Sequence, residues 1–138
     1  MNYYIYLITP FCAWLTAGIL KFCINSIKTK KLAFTLIGYG GLPSNHSAIV
    51  SSTTALIALQ QGIDTAAFAV AITFTFIVLL DANSLRQQVG KHAIAINKIN
   101  SNSPQEIPLR ERMGHTRLEI FAGIITGISV AYFLYILL

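Results

Sequence analysis

The side chains in this sequence best suited to chemistry are two imidazoles, His46 in "LPSNHSA" (42–48) and His115 in "LRERMGHTRLEIFAG" (109–123). Histidine titrates near neutral pH, so it can pass a proton or attack an electrophile. His115 stands four residues before Glu119, a spacing that on a helix puts both side chains on one face, where the carboxylate can orient the ring and fix its tautomer. His46 follows Gly40, Gly41, Pro43, Ser44 and Asn45. Glycines let the backbone approach a ligand, proline suits a first helical turn, and Ser44 or Asn45 can cap it. Such a helix start exposes unpaired N–H groups at the positive end of the dipole, which suits an anion and phosphate above all. Guanidinium groups accompany both motifs: Arg86 in "DANSLRQQVGKHA" (81–93), among Asn83, Ser84, Gln87 and Gln88, and Arg110 and Arg112 just before His115. Their planar fork matches phosphate oxygens. Each motif alone also has a plain explanation, a capped glycine–proline turn for the first and a solvated His–Glu pair for the second. What resists it is Glu119 at the threshold of an otherwise apolar run, where a carboxylate needs a partner. Arg117 and Lys98 read as ordinary loop cations, and His92 as a helical interface position rather than a third catalytic imidazole.

Something must bring these motifs together, and composition says that it is a membrane bundle. The chain has 138 residues, 54% hydrophobic and 11% charged, with a mean hydropathy of +0.62, outside the range of soluble domains. Long uncharged runs predict four spans, at about 3–22, 43–63, 65–82 and 118–138, each reaching with its flanks roughly the 20 residues that cross a ~30 Å core. Loops 23–42 and 83–117 separate them, and 32–42 reads as a short re-entrant or interfacial segment. The expected fold is therefore all-α: one membrane domain over 1–138, a bundle of about four transmembrane helices. The first run has no basic residues before it and no small-residue cleavage site, so it reads as a permanent anchor. Cys12 and Cys23 on that helix would lie about 16 Å apart, too far for a disulfide.

The basic residues supply orientation. Lys21, Lys28, Lys30 and Lys31 follow the first span, and Arg86, Lys91, Lys98, Arg110, Arg112 and Arg117 lie between the third and fourth. By the positive-inside rule both loops are cytoplasmic and both termini outside, in the cytoplasmic (inner) membrane. The net charge of +5 then follows from topology and anionic headgroups. Nucleic acid is excluded as a partner, since no basic helix carries interleaved aromatics. The same topology puts the starts of the second and fourth spans, with both histidines, on one side of the membrane, where they can share a site.

At this point the residues resemble a known family. "GGLPSNHSA", then "DANSLRQQVGKHA" followed by "INK", then "LRERMGHTRLEIFAGIITG" are similar to the divergent branch of the type 2 phosphatidic acid phosphatase family, related to acid phosphatases and vanadium-dependent haloperoxidases. The resemblance runs over nearly the whole chain. It implies that His115 attacks phosphorus and becomes a phosphohistidine, that Glu119 orients it, that His46 protonates the leaving oxygen, and that Ser44 with the adjacent backbone holds the phosphate. Departures accompany the match. Asn45 replaces a glycine, Glu119 replaces an aspartate, Leu109 stands where the wider superfamily has an arginine with Arg110 one residue later, and the lysine motif ending in arginine–proline is absent. The missing arginine's role falls to Arg110, Arg112 or Arg86, and the lysine that this branch places near the first span is Lys21 or Lys31.

The expected activity is hydrolysis of a lipid-linked phosphate or pyrophosphate at the cytoplasmic leaflet, with no cofactor and no metal. The alternative is a degenerate membrane protein that binds phosphorylated headgroups or serves as an assembly or transport partner. A histidine metal site lacks a third ligand at recognisable spacing. Four spans make a thin bundle, so a homodimer is expected to complete it, and Gly123 with Gly127 offers a GxxxG face for a helix of the same or another chain.

Overall fold

The computed structural model describes residues 4–30, 41–100 and 107–137. The expected re-entrant segment 32–42, apart from its last two residues, lies outside the described residues, as does Lys31. All described regular structure is helical: α1 Tyr4–Thr29, α2 Asn45–Gln61, α3 Ala66–Leu80, α4 Arg86–Ile99 and α5 Arg117–Leu137, with a π-helical turn, Asp81–Leu85, joining α3 to α4.

Among the described residues three helical stretches are long and apolar enough to cross a membrane, Tyr4–Thr29, Ala66–Ile99 and Arg117–Leu137. The expected span at 43–63 is the exception. Its helix α2 has 17 residues, about 26 Å at the ~1.5 Å rise, the lower limit for crossing. Hydropathy fails there because α2 faces protein on most sides, packing against α1, α3 and α5. Ser47, Ala48, Val50, Ser51, Ser52, Thr54 and Leu56 are buried, and the hydroxyls of Ser51, Ser52 and Thr54 find partners inside. Thr54 Oγ1 donates to the Val50 carbonyl at 3.0 Å and meets Thr75 Oγ1 of α3 at 2.8 Å. Ser51 Oγ reaches the Ile124 carbonyl of α5 at 3.4 Å. Interhelical bonds of this kind average only about 0.6 kcal/mol, so close packing carries most of the association.

Small residues make that packing close. On α1, Ile5, Thr9, Ala13 and Ala17 are buried, a stripe at i,i+4 spacing that puts one face inward. On α5, Gly123, Gly127 and Ala131 are buried with the same spacing. A Cβ on Gly123 would strike the Ser44 carbonyl, and one on Gly127 would strike Ser51 Oγ and the Ala48 carbonyl. The GxxxG face therefore packs on α2 of its own chain. Large apolar side chains point the other way: Phe11, Trp14, Phe74, Phe76, Phe121 and Phe133 are all exposed. Small residues inside and bulky ones outside suit a lipid surround, since in water that surface would drive association.

The expected loop 83–117 is only partly a loop. The helix runs without a break from Ala66 to Ile99, because residues 86–99 contain no proline and only one glycine; a fall in hydropathy marks the edge of the apolar core, not the end of the helix. Residues 107–116, neither helix nor strand, lie back along α4 as a strap. Leu109 and Glu111 bond to Asn97, Gly90 faces Glu111 and Met113, and Gly114 sits on Gln87. The first helix likewise continues to Thr29, into the region expected as loop 23–42.

Candidate active site at one end of the bundle

The strap delivers His115 to the start of α5, and Ser44 delivers His46 to the start of α2. A backbone hydrogen bond joins the two starts: the Ser44 N–H donates to the Glu119 carbonyl at 2.9 Å. The rings of His46 and His115 come within 5.7 Å, centroid to centroid, at 60°. Sequence reasoning placed these imidazoles together, and so does the structure.

How His115 is held differs from the expectation of a His–Glu pair on one helical face. His115 precedes the helix, which starts at Arg117, and Glu119 reaches back to it. Thr116 and Glu119 form a capping box: the Glu119 N–H donates to Thr116 Oγ1 at 3.2 Å, and the Thr116 N–H donates to Glu119 Oε2 at 3.1 Å. That signature, T-x-x-E before an apolar run, was legible in "HTRLE". The same Oε2 lies 3.0 Å from His115 Nδ1. A carboxylate can only accept, so we assign the proton to Nδ1, which leaves Nε2 with a free lone pair.

The main chain of His115 is fixed as firmly. In a regular α-helix the Arg86 N–H would bond the Ala82 carbonyl; in the π-turn it goes to Asp81 instead. The freed Ala82 carbonyl accepts the His115 N–H at 3.0 Å, and Gln87 Nε2 donates to the His115 carbonyl at 3.3 Å. Such π-turns are frequent at functional sites. Nothing in the residue pattern announced this one. His115 itself is 7% exposed. Burial, the largest influence, pushes its pKa below the ordinary histidine value, the positive charges of Lys21 and Arg86 push the same way, and its bond to Glu119 opposes them. On balance the neutral ring is favoured.

The α2 start is built differently. Ser44 is fully buried and serves as N-cap, its Oγ accepting from the Ser47 N–H at 3.4 Å. Its expected phosphate-binding hydroxyl is thus engaged as an acceptor, with its proton still available. Asn45 Oδ1, His46 Nδ1 and Ser47 Oγ are buried and have no hydrogen-bond partner among the described residues.

The expected cations divide. Lys21 and Arg86 both couple electrostatically to His46 and His115, and Lys21 also feels Glu119. Arg86 is held 3.6 Å from Asp81 Oδ2, a residue to which sequence reasoning gave no role. Arg110 and Arg112 lie exposed on the strap, where Arg110 Nε donates to the Arg112 carbonyl at 3.2 Å; among the described residues the cations that act on both imidazoles are Lys21 and Arg86. His92 is exposed on α4. Among the described residues no group of three or more His, Cys, Asp or Glu is placed to hold a metal ion.

Fold and site together define a multi-helix membrane protein with a two-histidine centre at one end of its bundle. A model of the Divergent PAP2 family matches residues 4–130, and the chain belongs to that family. It is 33% identical, over 92% of its own length and 94% of the relative's, to a Bacillus subtilis (strain 168) protein named "Uncharacterized membrane protein YuiD". No solved structure matches the chain.

Proposed function

We propose that the protein hydrolyses a lipid-linked phosphate or pyrophosphate at the cytoplasmic leaflet of the inner membrane, through a phosphohistidine on His115. The observation that carries this reading is the 5.7 Å approach of an unpartnered imidazole, His46, to one whose other nitrogen is fixed by Glu119. Nε2 of His115 attacks phosphorus as the bond to the lipid oxygen breaks. Protonated His46 gives that oxygen its proton. Water, losing a proton to the now neutral His46, then attacks the phosphohistidine; the P–N bond breaks, its electrons return to Nε2, and phosphate leaves. Lys21 and Arg86 offset the negative charge on the transferring group, and positioning supplies much of the rest. Every group in this scheme comes from one chain, so turnover does not require the homodimer expected from the thin bundle.

Phosphate release from lipid phosphates and pyrophosphates by purified protein tests the reading. His115→Ala should reduce it to background; turnover equal to wild type would eliminate the mechanism. A second reading, binding of phosphorylated headgroups without turnover, is favoured by one observation: with Arg110 and Arg112 exposed on the strap, Lys21 and Arg86 are the expected cations at the site among the described residues. Vanadate or lipid phosphate bound with no release from any substrate would support it.

A further inference from the structure

We propose that Asn97, far from the imidazoles, is a positioning residue for His115, acting through the strap. Its catalytic readout rests on the function proposed above.

Residues 107–116 have no regular structure of their own, so their course is set by what they lie on. Near the site the strap is tied by the His115 N–H to Ala82 and by Gln87 to the His115 carbonyl. Toward its far end the strap is tied to α4 by Asn97: the Leu109 N–H donates to Asn97 Oδ1 at 2.8 Å, and Asn97 Nδ2 donates to the Leu109 carbonyl at 2.8 Å and to Glu111 Oε1 at 2.9 Å. A primary amide is suited to this, since it presents a donor and an acceptor side by side and so pairs with a residue's N–H and C=O as a neighbouring strand would. Asn97 is about 15 Å along α4 from Gln87 at the ~1.5 Å rise. Between the two anchors Gly90 lets the strap lie against the helix, because a Cβ there would collide with the Glu111 carbonyl. Gly114, at φ +86°, then turns the chain over Gln87, where a side chain on residue 114 would meet Gln87 Cγ at 2.8 Å. The direction in which the chain enters that turn is fixed from the Leu109 end. Freed there, the strap can pivot about the turn, and the ring that follows the turn moves with it.

The test uses the full chain in detergent micelles with dioleoyl phosphatidic acid and an isoprenyl pyrophosphate as substrates. Asn97→Ala should lower kcat by about ten- to hundredfold, the scale of a ~1 Å misplacement transmitted from a distance, with KM within about twofold of wild type. Asn97→Asp sets a carboxylate against both Glu111 and the Leu109 carbonyl and should do at least as much harm; adding Glu111→Gln lets the new amide donate to the carboxylate and should recover part of the loss, the Leu109 carbonyl staying without its donor. Nitrogen-15 spectra of the imidazoles read His115 without turnover, and its Nδ1–H signal should move in Asn97→Ala and in Asn97→Asp and move part of the way back in the double variant. Wild-type kcat and spectra in Asn97→Ala would overturn the proposal. So would a fall in thermal stability with kcat and KM impaired together and no recovery in the double variant, the mark of a purely structural amide. If the wild-type chain releases no phosphate yet the His115 signal responds as described, positioning stands and the phosphatase reading falls.

Discussion

The two histidine-bearing helix starts sit side by side, yet around one histidine every polar atom but the ring Nε2 is fastened, and around the other the ring is left open. Around His115, Nδ1, the N–H and the carbonyl all have partners, supplied by Glu119, Ala82 and Gln87. Around His46, the ring Nδ1 and the neighbouring Asn45 Oδ1 and Ser47 Oγ have none among the described residues. Buried polar atoms without partners cost free energy, typically about 1–3 kcal/mol each, so their clustering at one helix start is best explained by a ligand that completes them. The asymmetry fits a division of labour. A nucleophile must be aimed before substrate arrives, whereas a group that exchanges protons with substrate and water must be free to bond each in turn.

The hardest blow to the open half is His46→Ala. Loss of a general acid or base typically costs about 10²–10⁴-fold. Substrates with poor leaving groups, such as alkyl monophosphates, should fall near the upper end. Pyrophosphates, whose leaving phosphate needs less help from a proton, should fall least. Measuring kcat for both classes decides it, and equal slowing of the two would mean that His46 does not protonate the leaving oxygen.

Glu119→Gln attacks the fastened half more gently. A hydrogen bond to a charged group is worth about 1.5–3 kcal/mol, so removing the charge should slow phosphoryl transfer roughly ten- to hundredfold. The pH profile gives the sharper result. Glu119 raises the pKa of His115 against the larger depression from burial; without it the pKa falls further, and the acid limb of the rate profile should shift to lower pH even as the plateau drops. Stability carries the same sign. Because the folded pKa lies below the ordinary 6.5, the unfolded chain takes up a proton first as pH falls through that value, and stability declines there. An acid limb that moves to higher pH in Glu119→Gln would show that the carboxylate is not what holds the ring.

Much of this arrangement was legible in the sequence, because membrane topology is written in long-range patterns. Apolar runs and the placement of Lys and Arg put His46, His115, Lys21 and Arg86 at one end of the bundle, and the structure has them there. What escaped depends on which backbone groups lack a helical partner. The freed Ala82 carbonyl exists only because Arg86 bonds one residue further back than usual, and residue type does not encode that shift. The strap escaped because hydropathy cannot distinguish a loop from an amphipathic helix continuing beyond the apolar core. The course of Arg110 and Arg112 was not legible for the same reason: the sequence places them just before His115, while the strap holds them exposed along α4.

The smallest expected effect concerns the register between the two halves, and two glycines one helical turn apart can isolate it. Gly123 lies against the Ser44 carbonyl at the α2 start, whereas Gly127 lies against Ala48 and Ser51, deeper in the bundle. An added methyl at either must push α5 away from α2, an overpacking that costs typically about 1–3 kcal/mol. The thermal unfolding midpoints of Gly123→Ala and Gly127→Ala should therefore fall by similar amounts. Turnover should not fall equally. At Gly123 the displacement acts on the same turn that carries the Ser44–Glu119 bond, so the gap between the rings widens directly and kcat should drop several-fold; at Gly127 it is absorbed along the shaft of α2. If the two variants lose activity in proportion to stability alone, then the spacing of the helix starts is not what pairs the aimed ring with the open one.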